Sequence, residues 1–165
     1  MAVVVYYQYK SQGVIMMLLD ETYKNIVVAI DGSQASLRAF KKALMVCKRN
    51  NANLVIAHVV DTKTISTAET YDQTMINRSE TYATQLLNDY KQQAEVAGLT
   101  NVKTHIDYGS PKVRIPKHVA KAFKADLIIC GATGLNAVER FLIGSVSENI
   151  VRYAPCDVLV IRSDD

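Results

Sequence analysis

The residues best placed to do chemistry are Gly131-Ala132-Thr133-Gly134 and, after nine intervening residues, Gly144-Ser145. They stand between two patterned runs. Leu127-Ile128-Ile129-Cys130 reads as a short buried strand, and Ser145 to Tyr153 carries Val146, Ile150 and Val151 at helical spacing. A strand that turns through glycines into the start of a helix brings backbone amides against an anion. Gly131 and Gly134 remove side chains where the chain must turn, and Gly144 opens a helix whose free N–H groups and positive dipole end attract phosphate. Ser145 and Ser147 add hydroxyl donors. The plainer alternative is a tight structural turn with no ligand.

The elements that would carry this turn follow from periodicity. Asn25 to Ile30 is apolar and β-branched, Asn53 to Val60 is a second strand, and Val102 to Tyr108 a third. Asp126 to Cys130 and Val158 to Ile161 complete five. Between them, Ser33 to Lys48 repeats Leu37, Phe40, Ala43, Leu44 and Cys47 on one helical face, with Ser33 or Ser36 as its cap. The longest helical pattern runs through Ala83, Leu86, Leu87, Tyr90, Ala94 and Ala97 and ends at Gly98. Residues 61–76 are polar and without period, the place expected for a mobile flap. Pro111 to Lys124 is a further helix in which Pro116 predicts a late start or a bend. Strands alternating with helices predict a parallel sheet covered on both faces by right-handed crossovers.

Composition narrows the class. A chain of 165 residues is the size of one domain, and a net charge of +3 without a basic tract is too mild for a nucleic-acid or membrane-surface protein. Cys47, Cys130 and Cys156 are odd in number and share no C-x-x-C, so neither a disulfide framework nor a zinc site is supported; a cytosolic protein with buried thiols is expected. His58, His105 and His118 lack partners at ligand spacing and read as structural. Residues 1–23 form an N-terminal extension to a domain spanning 24–165. Within the extension Val3-Val4-Val5-Tyr6-Tyr7 is β-like, and the six-residue apolar run Val14 to Leu19 is far short of the roughly 20 residues that cross a bilayer. It lacks the basic start and cleavage site of a signal peptide. Met16 or Met17 is an alternative start of the chain.

The stretch from Gly131 through Ser145 to Ile161 closely resembles the ATP-binding signature of the universal stress protein family, G-x2-G-x9-G-[ST], with every required position filled. The resemblance extends to Ile26-Val27-Val28-Ala29-Ile30-Asp31-Gly32-Ser33, to Leu54 through Asp61 and to Gly109-Ser110-Pro111, and so covers about residues 24–163. It implies an open five-stranded parallel α/β sheet of order 3-2-1-4-5, flavodoxin-like and similar to the adenine nucleotide α-hydrolases. The ligand crevice then lies between the first and fourth strands, where the order reverses. The implied binding residues are Ala29, Ile30, Asp31 and Val59 for adenine and ribose, and Gly131, Gly134, Gly144, Ser145, Val146 and Ser147 for the phosphates of ATP. Asp31 suits a ribose hydroxyl or, through water, Mg2+; its plainer role is a helix cap or a turn with Gly32. Arg140 and Asn136 lie between the glycines and reach phosphate or are simply solvated. A homodimer through Val158, Leu159, Val160 and Ile161 is also implied, and an apolar edge strand is a liability unless paired. Asp157 departs from the family, which commonly has proline there.

No G-x4-G-K-[ST], G-x-G-x-x-G after the first strand, or G-x-S-x-G is present. With no nucleophile, base and oxyanion site assembled, the expectation is a nucleotide-dependent stress regulator or sensor with at most weak ATPase activity. A slow ATP-hydrolysing or nucleotide-transferring enzyme and a ligand-free dimeric scaffold are the alternatives.

Overall fold

The computed structural model describes residues 3–6 as backbone, and residues 22–62, 73–135 and 143–162. Its elements in chain order are β1 (Val3–Tyr6), β2 (Asn25–Ala29), α1 (Gln34–Asn50), β3 (Asn53–Val60), α2 (Gln73–Val96) and β4 (Val102–Tyr108). Then come α3 (Pro111–Arg114), a π-helical turn (Ile115–Val119), α4 (Ala120–Ala122), β5 (Leu127–Gly131), α5 (Ser145–Tyr153) and β6 (Asp157–Ile161). All strand pairs are parallel, in the order β1-β6-β5-β2-β3-β4. Counted from β2, this is the order 3-2-1-4-5, and its reversal point lies between β2 and β5.

Both faces of the central strands are apolar, as a sheet covered on both sides requires. Alternate residues Ile26, Val28, Ile56 and Ile129 face α1 and α2, where Phe40, Ala43, Leu87 and Tyr90 complete one core. The rings of Phe40 and Tyr90 meet edge to face at 4.7 Å. Val27, Val55, Ile128 and Val160 face the other way, onto Ile115, Val119 and Ile150. Each fully buried side chain of this size contributes about 1.5–3 kcal/mol of burial free energy, so both layers hold the strand ends in place.

Local chemistry sets the helix ends. Ser33, not Ser36, caps α1: its Oγ accepts from Ser36 N at 3.1 Å, and Ser36 Oγ donates to Ser33 O at 2.9 Å. Asn51 closes that helix in the left-handed region at φ 50°, and Gly98 follows α2 with φ 89°. Asp157 opens β6 and accepts from the Tyr23 hydroxyl at 3.1 Å.

Three expectations are corrected. The aperiodic stretch 61–76 is not all loop, because α2 already begins at Gln73; residues 63–72, where the flap was expected, lie outside the described residues. The helix at Pro111 does not start late. Proline occupies its first turn, where the missing N–H costs nothing, and Pro116 is absorbed by widening one turn to π geometry, with Ala120 N donating to Ile115 O. The pattern of Val158 to Ile161 makes β6 an open edge, yet β1 lies along it, Val3 opposite Val158 and Tyr6 opposite Ile161. A β-branched run supplies backbone groups that the edge otherwise leaves unpaired.

Candidate functional site

The carboxyl ends of β2, β3 and β5 open into a cleft of about 1050 Å3. Its floor is Ala29 at the end of β2, Ile30 and Asp31 just after it, and His58, Val59 and Val60 in β3. One wall is the glycine turn after β5 and the start of α5. The structure brings all the residues expected from the sequence (Ala29, Ile30, Asp31, Val59, Gly131, Gly134, Gly144, Ser145, Val146 and Ser147) to this one cleft.

Three glycines do different work there. A Cβ on Gly131 would lie 2.8 Å from the carbonyl carbon and Cβ of Ala35, so this glycine lets the start of α1 pack against β5. A Cβ on Gly134 would lie 2.9 Å from Asp31 Oδ2, placing that carboxylate directly against the turn. Gly144 donates its N–H to Ala132 O at 2.7 Å and caps α5 in extended geometry, with no side chain to satisfy the first helical amides. The N–H groups of Ser145, Val146 and Ser147 therefore begin the helix uncapped, on the wall of the cleft.

Side chains sort less uniformly. The buried Ser147 hydroxyl donates to Gly131 O at 2.7 Å and also lies 3.2 Å from Ala132 O, latching the turn to the helix; only its backbone amide faces outward duty. Ser145 is exposed. Asp31 divides its oxygens: Oδ1 accepts from Ser33 N at 2.9 Å, the turn-forming role, while Oδ2 borders Gly134. His58 Nδ1 lies 2.8 Å from Ile30 O; since a carbonyl only accepts, Nδ1 carries the hydrogen and Nε2 is left as the ring's other polar atom. His105 packs edge-on against Phe123 at 5.0 Å, as a structural histidine would. Burial pushes the Cys130 thiol up to about 12, which keeps it protonated and inert beneath the turn. Arg140 and Asn136 lie outside the described residues.

Sequence reasoning missed several lining residues. Arg78, Ser79 and Tyr82 enter from α2, and Pro111 and Ile115 from the far side. The Tyr82 hydroxyl sits 2.5 Å from where a Gly32 side chain would begin, which explains that glycine beyond its φ of 85°. The spacing of Arg78 and Tyr82, one helical turn apart, was the available signal.

A doubly wound sheet with an uncapped helix N-terminus and a glycine turn at its reversal point defines an α/β protein with a crevice at the carboxyl ends of its strands. The chain belongs to the universal stress protein family, whose model matches residues 22–162. A protein of Staphylococcus haemolyticus named for that family is 51% identical over 144 residues, 87% of each chain. The universal stress protein UspA from Lactobacillus plantarum is 32% identical with a TM-score of 0.74, over 87% of this chain and all of that one. A universal stress protein solved in complex with cAMP is 28% identical with a TM-score of 0.65, over the same shares. No helix among the described residues is long and apolar enough to cross a membrane.

Proposed function

We propose that this chain binds ATP in the cleft between β2 and β5 and acts as a nucleotide-dependent regulator or sensor of the stress response. The observation that carries the reading is the row of uncapped amides at Ser145, Val146 and Ser147 beside the Gly134 turn. Such a row holds phosphate oxygens with charge-assisted hydrogen bonds and a favourable dipole. Adenine and ribose then lie toward Ala29, Ile30, Asp31 and Val59. The relative solved with cAMP supports an adenine nucleotide as the ligand class.

Asp31 favours the metal-bound form of the ligand. A bare triphosphate on the turn would face the carboxylate at Gly134, and a divalent cation between them relieves the repulsion. Among the described residues no cluster of three His, Cys, Asp or Glu could hold a metal alone, so the phosphates would complete the coordination of Mg2+. Mg2+ would supply charge neutralisation of the bound phosphates.

Binding rather than turnover is the proposed activity. The Ser147 hydroxyl is buried and committed to backbone carbonyls, which argues against its serving as a nucleophile. A homodimer through Val158 to Ile161 is proposed for molecules in which β1 is not seated on β6, since the two partners need the same edge. Titration of nucleotide-stripped protein with Mg-ATP by calorimetry should give saturable one-to-one binding, with cAMP as competitor. Folded protein that binds no adenine nucleotide would leave the ligand-free scaffold as the better reading.

A further inference from the structure

We propose that Arg114, acting through Asp107, is a positioning residue that sets the base-side wall of the cleft; the inference rests on the nucleotide reading above. Asp107 lies in β4, one residue before its end, and is only 8% exposed. Arg114 grips it with both prongs of the guanidinium: Nε donates to Oδ2 at 2.9 Å and Nη2 to Oδ1 at 2.6 Å. Tyr108 N donates to the same Oδ1 at 2.8 Å. Burial alone would raise the Asp107 carboxyl, but these hydrogen bonds outweigh it and hold it below the ordinary carboxylate range, so the charged fork persists at neutral pH.

The fork adds a side-chain clasp to a turn whose backbone is held by Val113 N and Arg114 N, both donating to Ser110 O. Gly109 adopts φ 120°, open to glycine, and the Arg114 stem lies 3.4 Å from where its side chain would begin. Gly109 N donates to Val60 O at 3.0 Å, which ties the turn to the end of β3. Ser110 caps α3 without a side-chain hydrogen bond, and α3 runs on through the π turn into α4, so the fork is the side-chain clasp at the start of that helix. Pro111, the first residue of α3, and Ile115, the first of the π turn, line the cleft beside Val59 and Val60. The π turn that begins at Ile115 separates the tasks: Arg114 turns to Asp107, while Ile115 is buried at the cleft. An aromatic base between Val59 and Pro111–Ile115 would feel any loosening of the fork directly, whereas phosphates on the glycine turn would feel it only in damped form, through the packing of α3 and the π turn on α5.

The test compares two ligands on one variant. Arg114→Met keeps the stem and removes the fork. Calorimetry should show Mg-ATP affinity falling about tenfold, the scale of losing a supporting contact outside the ligand shell. Magnesium tripolyphosphate, which engages only the phosphate wall, should stay within about twofold of wild type on the same argument. Arg114→Lys should restore part of the ATP affinity and carries the comparison alone should Arg114→Met fail to fold. Equal losses for both ligands, or none for ATP, would overturn the positioning role while leaving the nucleotide site standing. A wild-type protein that binds neither ligand would overturn the nucleotide reading and this inference with it.

Discussion

Ser145→Pro separates the ligand-binding duty of the α5 amides from their structural duty. Position 145 is the first helical residue, where an N–H has no intrahelical acceptor and proline is well tolerated. The preceding residue, Gly144, already sits at φ −64° and ψ 153°, the region a following proline demands. Ser145 is exposed, and its carbonyl, which accepts from Asn149 Nδ2 at 2.8 Å, is untouched. Stability should therefore change by no more than about 0.5 kcal/mol. The ligand, by contrast, loses an amide donor to a charged oxygen, worth about 1.5–3 kcal/mol, or roughly a 10- to 150-fold rise in Kd for Mg-ATP. Calorimetry gives the Kd and a thermal melt gives the stability, with Ser145→Ala as the control that removes only the hydroxyl. A Ser145→Pro protein with an unchanged melt and wild-type ATP affinity would refute the assignment of these amides to phosphate. A large drop in melting temperature would refute the placement of residue 145 at the start of the helix.

The other consequences are briefer. Gly131→Ala should lower stability by about 1–3 kcal/mol, because its Cβ meets the α1 backbone at 2.8 Å; Gly134→Ala should melt nearly as wild type but bind ATP more weakly, because only the Asp31 carboxylate must move. Paired melts and titrations distinguish the two, and the reverse pattern would contradict the division of labour. Burial pushes Cys47 and Cys130 up to about 12 and Cys156 up to about 11, so at pH 8 all three stay protonated; a thiol reagent should label the native protein slowly and the denatured protein fast. Rapid native labelling at Cys47 or Cys130 would show that their surroundings open. With β1 on the edge the full chain should run as a monomer in light scattering, and removal of residues 1–16 should expose β6 and yield a dimer. A full-length dimer, or a shortened chain that stays monomeric, would place the interface elsewhere.

The strands were legible because each is an apolar or alternating run bounded by residues that favour turns, so Asn53–Val60 and Val102–Tyr108 match residue for residue. The site was legible for a related reason: Asp31 and Gly131 end neighbouring strands, and a known strand order puts strand ends together. What escaped were contacts with no local pattern. The start of α2 is polar and unpatterned up to Ile76, so its entry into the cleft was signalled only by the one-turn spacing of Arg78 and Tyr82. The Asp107–Arg114 fork crosses a turn, and nothing in a seven-residue separation marks it as a pair. Pro116 announced a disturbed helix but not its form, since a bend, a late start and a π turn all relieve the same missing N–H. The seat of β1 on β6 joins opposite ends of the chain, and only tertiary structure decides which strand takes an open edge.

Amide chemical-shift mapping during a titration with Mg-ATP tests the central claim most directly. The account predicts that the amides of Gly134, Ser145, Val146 and Ser147 move most, followed by those of Asp31 and Val59, and that tripolyphosphate moves the first group alone. Saturable binding whose largest shifts fall outside the β2–β5 cleft would contradict it.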